Sequence, residues 1–262
     1  MRFNHGYRWP PALAAASCVV LLVVAATASD RPRAVGVGDE VVDGSSIKPY
    51  ANLWKVSVRR PDGTVLELGT WSDEMTRVDV GGRAALRRVQ VAKLKGHTSS
   101  TTNVFDARTL EPISDDLRGD DGRFAHREFA GASVKVERLG ESPGAAAPTA
   151  APTATTATLG RRVFDFYGGM YGLLLAGFPL REGYSATFPS ILEYSEEVVD
   201  VTFRVDRKEP VVAGPGKTVV AWVVVCDTAQ GAMTFWLTKR EPYVIRLVFA
   251  DAKGNVWSYD MA

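Results

Sequence analysis

Histidine and cysteine are scarce: the 262 residues contain three histidines and two cysteines. His5 and Cys18 fall in an N-terminal stretch that reads as a leader, which leaves His97, His126 and Cys226 for the remainder. One cysteine closes no intramolecular disulfide, and two isolated histidines beside it provide no ligand spacing, so neither a metal site nor a cofactor is expected. Nucleophilic hydrolysis lacks its parts as well. The one Gly-x-Ser-x-Gly match, Gly140 to Gly144, has proline after its serine and runs into the low-complexity Ala/Thr/Pro stretch instead of a helix, so it is no nucleophile elbow; His97 stands beside a turn and His126 in a strand, and no catalytic residue is assigned. Cys226, inside AWVVVC with apolar residues on both alternating faces, reads as an inert buried thiol.

An excess of charge of either sign is also missing. Without Arg2 and Arg8 of the leader, the 31 basic residues fall to 29, against 30 acidic ones. Such a balance gives no bulk attraction to nucleic acid or to anionic lipid. GPGKT at Gly214 to Thr218 lacks the earlier glycine of a phosphate loop, since Val211 stands there, and TVVAWVVV follows it where a helix would be needed; it reads as a hairpin turn. The acidic pairs Asp115-Asp116, Asp120-Asp121 and Glu196-Glu197 read as solvated turn and strand-start residues. Arg83, Arg87, Arg88, Lys93 and Lys95, interleaved with Val89, Val91 and Leu94, read as the solvent face of a strand.

The one long uncharged apolar run, Pro10 to Ala28, follows Arg2, His5 and Arg8 and ends in Ala26-Thr27-Ala28. Residues 1–28 therefore read as a signal peptide or, uncleaved, as an N-terminal anchor in the inner membrane, with everything after them exported, to the periplasm in the first instance. Ala15-Ala16-Ser17-Cys18 is a poor lipidation site: alanine stands three before the cysteine, and the apolar run continues past it.

Residues 29–46 mix glycine, charge and short apolar side chains without period and read as a flexible lead-in. From residue 47 the chain turns to strands. NLWKVSVRR alternates, Pro61-Asp62-Gly63 marks a turn and TVLELGTW answers it. VDVGGRAALRRVQVAKLKG gives a longer pair, and residues 101–139 give four shorter strands broken at Asp106 to Pro112, Asp120-Asp121-Gly122 and Ala130-Gly131. Turns at such short intervals argue for an antiparallel meander. ESPGAAAPTAAPTATTAT, residues 141–158, has no large apolar side chain and reads as a low-complexity loop interrupting a single domain over 47–262. The helix candidate, Leu159 to Ala176, is apolar on all sides and carries Gly168, Gly169 and Gly172, so it is expected to be buried, short or bent. Strands resume with EEVVDVTFRVD, KTVVAWVVVCD, GAMTFWLTK, YVIRLVFAD and NVWSYDM.

The succession of the apolar segment, GFPLREGYSATFP, EEVVDVTFRV, VVAWVVVCD and GAMTFWLTKREPYVIRLVFAD, with NVFDARTLEPISDDLRGDDGRFAHREFAG in the first half, resembles a bacterial family of exported domains of unknown function allied to the outer-membrane lipoprotein-sorting carriers. The resemblance spans roughly Asn52 to Met261. It implies a mainly β fold, a strongly curved antiparallel sheet forming an incomplete barrel, with one short helix against its concave face. It also implies a hollow able to accept acyl chains, and it carries over no catalytic residues.

The expected lining of such a hollow is Phe166, Met170, Leu173, Leu174, Phe178, Leu180 and Phe188, with Trp222 and Trp236 from the later strands. The expected function is that of an exported, non-enzymatic binding domain holding an acyl chain, lipid or acylated ligand for envelope lipid or lipoprotein handling. The alternative is an envelope structural or assembly protein with a solid core that docks another envelope protein. Nucleic acid is not an expected partner, and membrane contact is expected only through an uncleaved N-terminus.

Overall fold

Runs of alternating side chains, punctuated by glycine turns, make nearly the whole chain extended. A computed structural model describes residues 31–139, 151–192, 195–229 and 231–262; residues 1–28, expected to be a signal peptide or anchor, and the first part of the low-complexity segment lie outside them. The strands are β1 (Arg33–Ala34), β2 (Tyr50–Arg59), β3 (Val65–Val80), β4 (Arg83–Leu94), β5 (His97–Asp106), β6 (Pro112–Gly119), β7 (Phe124–Ala130), β8 (Ser133–Leu139) and β9 (Thr153–Thr158) in the first half. The second half supplies β10 (Ser185–Ile191), β11 (Val198–Val212), β12 (Thr218–Thr228), β13 (Gly231–Leu237), β14 (Val244–Ala250) and β15 (Val256–Met261). The turns anticipated at 61–63, 81–82, 106–112, 120–122 and 130–131 all separate consecutive strands.

All fifteen strands form one sheet in the order β1-β10-β11-β12-β13-β14-β15-β2-β3-β4-β5-β6-β7-β8-β9. Two meanders, β2 to β9 and β10 to β15, are therefore joined where the last strand pairs antiparallel with β2, Tyr259 opposite Val56 and Met261 opposite Trp54. The order ends in β1 and β9, so the barrel is not closed. Its flanks nonetheless curl toward each other, since Val134 and Val136 of β8 share a buried cluster with Leu159, Val163 and Ile191 of β10. The larger core fills the concave side. There a wide turn, Phe166–Met170, and a six-residue helix, α1 (Tyr171–Ala176), lie against the sheet. Lys239 caps α1, its Nζ donating to the carbonyls of Ala176 (2.8 Å) and Phe178 (2.6 Å).

Three expectations are corrected. The lead-in is docked, not loose: β1 runs parallel to β10, the Asp43 amide donates to the Gly177 carbonyl (3.0 Å), and Val35 and Val42 are buried, because those short apolar side chains plug the end of the curl. Residues 153–158, assigned to a loop, form the edge strand β9 on β8. Ladder hydrogen bonds use only the backbone, so an exposed Thr/Ala strand can pair without an apolar face of its own. The helix begins at Tyr171, not Leu159, because Gly169 sits at φ 111°, where a right-handed helix cannot continue.

Candidate functional site

Period-two alternation carries a row of polar side chains inward. Met75, Arg88, Asn103, Asp115, Arg127 and Val136 are successive cross-strand neighbours from β3 to β8. Residues directly opposite share a face, so this row points wherever its apolar ends point, and Met75 and Val136 are core. Arg88 is 2% exposed, and Asp73, beside it on β3, is 1% exposed. Arg88 is thus not on the solvent face, as the basic stretch suggests, and Asp115 is a buried strand residue, not a turn acid. Asp116 faces the other way and meets His126 Nδ1 at 3.1 Å.

The row grips the wide turn. Arg88 donates from Nε to Asp73 Oδ1 (2.9 Å) and from Nη2 to Asp73 Oδ2 (2.6 Å), while its Nη1 reaches the carbonyls of Gly169 (2.5 Å) and Met170 (3.1 Å). Tyr50 adds its hydroxyl to Asp73 Oδ2 (2.9 Å). Asn103 Nδ2 donates to the Gly168 carbonyl (2.5 Å) and to Asp165 Oδ2 (3.0 Å), and the Gln90 amide, in the orientation that satisfies both its ends, donates to the Gly169 carbonyl (2.9 Å) and accepts from Trp71 Nε1 (3.1 Å). Carbonyls that would otherwise bond helical amides are taken by side chains, which is why the chain turns here. A Cβ on Gly169 would come within 2.7 Å of Asn103 Oδ1, so a side chain is barred by space as well as by φ.

Arg127 Nη2 pairs with both Asp115 and Asp165. The cluster thus places three carboxyls, Asp73, Asp115 and Asp165, around two guanidiniums, all buried. Burial, with the neighbouring Asp165, raises Asp115 well above the usual carboxylate range despite the pull of Arg127. A proton on Asp115 makes the cluster neutral, which is what a low-dielectric site favours. Burial opposes the charge on Arg88, but Asp73 and Tyr50 hold that guanidinium above its ordinary value.

Beside this network the concave face opens into a cavity of about 130 Å³. Its walls come from both meanders: Trp54 of β2 and Trp71 of β3, Met233 and Phe235 of β13, Val244, Leu247 and Phe249 of β14, and Tyr259 of β15. Tyr171 and Gly172 at the start of α1 complete the wall, and Arg88 and Gln90 are its polar members. Trp71 and Tyr259 meet edge to face at 5.3 Å, and Phe249 stacks on Tyr259 at 6.2 Å, so the rings brace one another. Gly172 is required by close approach: a Cβ there would stand 2.7 Å from Phe235 Cδ1. Burial lifts the Tyr259 phenol to about 12.

None of the nine residues expected to line a hollow lies in this cavity wall. Phe166, Met170, Leu173, Leu174, Phe178, Leu180 and Phe188 are brought together, but as packed core, with Phe178 against Phe188 (5.7 Å) and Phe203 (4.9 Å). Trp222 lies half-buried beside that core with Lys208 Nζ 4.2 Å from its ring centroid. Trp236 belongs to the opposite face, where it packs near Ile245 and donates from Nε1 to Glu209 (2.6 Å). Missed by sequence reasoning were the aromatic residues of the wall, Trp54, Trp71, Tyr171, Phe235, Phe249 and Tyr259, and the polar row. A usable signal existed in β4, where Arg88 and Gln90 share the parity of Leu86 and Ala92.

A family model described as a protein of unknown function (DUF3108) matches residues 53–255. No curated protein matches the chain.

Proposed function

Since the chain belongs to that family of proteins of unknown function, we propose from the geometry that it is a non-enzymatic binding domain which takes an apolar group into the aromatic cavity between the two meanders. The observation that carries this is the cavity itself, about 130 Å³, walled by six aromatic residues, one of them Tyr171 of α1. An apolar cavity of about 150 Å³ binds a benzene-sized guest. The space therefore suits a ring or the last five or so carbons of an acyl chain. At about 0.8 kcal/mol per methylene, five carbons contribute about 4 kcal/mol, a Kd of about 1 mM. A lipid or acylated ligand bound tightly must gain the rest outside the cavity.

Export and an envelope role form part of the same proposal, supported by the leader-like composition of residues 1–28. Kinship with lipoprotein-sorting carriers is supported by the unclosed, curled sheet with a segment laid across its hollow. The test is native mass spectrometry of the protein taken from its own envelope, followed by organic extraction and lipid analysis. A stoichiometric lipid supports the reading. A clean apo mass, with no response of the cavity tryptophans to millimolar hydrocarbon, overturns it and favours a docking role toward another envelope protein.

A further inference from the structure

The two ends of the sheet are finished differently. β1 is two residues long and carries Arg33, which pairs with Asp39 at 3.0 Å; a short, charged edge strand is a usual guard against pairing with another chain. β9 ends the strand order at the other side and has no such guard. Its six residues, TATTAT, hold no charge and no proline, and all but Ala157 are exposed. Their register with β8 runs without a bulge from Thr153 opposite Arg138 to Thr158 opposite Ser133.

Hydrogen-bond parity shows what this edge offers. The Leu159 amide donates to the Ala132 carbonyl (2.8 Å), so Leu159, Ala157, Thr155 and Thr153 turn their N–H and C=O groups toward β8. Ala154, Thr156 and Thr158 turn theirs away from it, and these groups have no backbone partner among the described residues. Pro152, which lacks an N–H, and Gly160, which turns the chain at φ 73°, bound the free edge.

We propose that this edge pairs with the same edge of a second copy of the chain, antiparallel about a two-fold axis, so that one sheet runs through both molecules. The register that uses every free group sets Thr156 opposite its own counterpart and Ala154 opposite the partner subunit's Thr158. Two features select a second copy. Threonine and alanine then meet only threonine and alanine, so no like charges are opposed and threonines pair across the junction. Isologous pairing also consumes both free edges and leaves only the guarded β1 ends outside, so the assembly stops at two. A six-residue edge buries less than the about 1,600 Å² of a standard interface, so the dimer is a weak one that forms at high local concentration. The inference is independent of the cavity.

The test is disulfide trapping in cells making the full chain, with Thr156→Cys compared with Ala154→Cys after copper phenanthroline treatment, on non-reducing gels. In the proposed register the Cα of residue 156 stands about 5.5 Å from its counterpart, within disulfide reach, whereas residue 154 stands about 13 Å from its own. Thr156→Cys is expected to shift to twice the monomer mass and Ala154→Cys to stay at the monomer. Cys18 and Cys226 are common to both variants, so the difference reports the new thiol. Equal dimer from both, no dimer from Thr156→Cys, or an adduct with a different protein overturns the proposal. Should the cysteine variants not accumulate, sedimentation of the unmodified protein against Thr156→Pro decides. Proline costs no hydrogen bond to β8 there, since that N–H faces away. Concentration-dependent dimer that the proline abolishes at unchanged melting temperature supports the pairing; a monomer throughout, or association that ignores the proline, overturns it.

Discussion

Replacing Arg88 by methionine isolates what the polar row does. The substitution keeps an unbranched chain of similar length in the same space, but it leaves Asp73, 1% exposed, with Tyr50 as its remaining side-chain donor. It also strips the Met170 carbonyl of its Arg88 donor, while Gly169 keeps Gln90. Removing one partner of a buried ion pair costs about 3 to 5 kcal/mol. With a urea dependence of about 2 to 3 kcal/mol per molar, about 4 kcal/mol lowers the midpoint by about 1.3 to 2 M. Unfolding in urea, followed by tryptophan fluorescence, reads this directly. Adding Asp73→Asn should recover part of the loss, so that the double variant is more stable than the sum of the single losses by at least about 1 kcal/mol. A midpoint for Arg88→Met within about 0.3 M of the unmodified protein, or strictly additive losses, would refute the claim that this pair anchors the Gly168-Gly169 turn.

Other outcomes follow from single sites. Gly172→Ala should destabilise by about 1 to 3 kcal/mol, because its Cβ meets the Phe235 ring at 2.7 Å in a packed core; an unchanged melting temperature would show that the ring gives way freely. Asp115 keeps in the folded state a proton that the unfolded chain releases near pH 4, so its contribution is fully present below that pH and is lost as pH rises toward its folded value. Between pH 5 and 8 the stability of the unmodified protein should therefore fall more with pH than that of Asp115→Asn, and parallel profiles would contradict the account of a proton held on Asp115. Asp106 works in the opposite direction. Burial opposes its ionisation, but Arg83 and the Thr109 and Arg108 amides outweigh this and hold it at about 2, so its contribution, present above pH 4, should fade only as pH falls through about 2. The Cys226 thiol, pushed well up by burial and by Asp227, should ignore a thiol reagent at pH 8 in the native protein and react once urea unfolds it.

The strands were legible because their signals are local. Alternation in NLWKVSVRR and the Asp-Gly turns require only neighbours in sequence, and β2 through β8 and β11 through β15 fall where those signals lie. Edge strand β9 was not legible, since Thr153–Thr158 buries little and is held by backbone pairing to β8, which composition does not report. The helix was overlong for a related reason. The Phe166–Met170 turn is set by Arg88, Asn103 and Gln90, which are 60 or more residues away in the chain.

The amino-acid sequence by itself determined the β character, the positions of most turns, the apolar segment that crosses the concave face and the scarcity of metal-ligating residues. These depend on side-chain period, turn chemistry and composition, all short-range. Only the tertiary structure decided that β15 pairs with β2, and that pairing brings Tyr259 and Phe249 beside Trp54 and Trp71 to wall one cavity. It also decided that Arg88, Asp115 and Arg127 face inward. In isolation a charged residue within a strand is favoured by water; once opposite charges and buried carbonyls converge on it across four strands, their paired hydrogen bonds replace the hydration that burial removes.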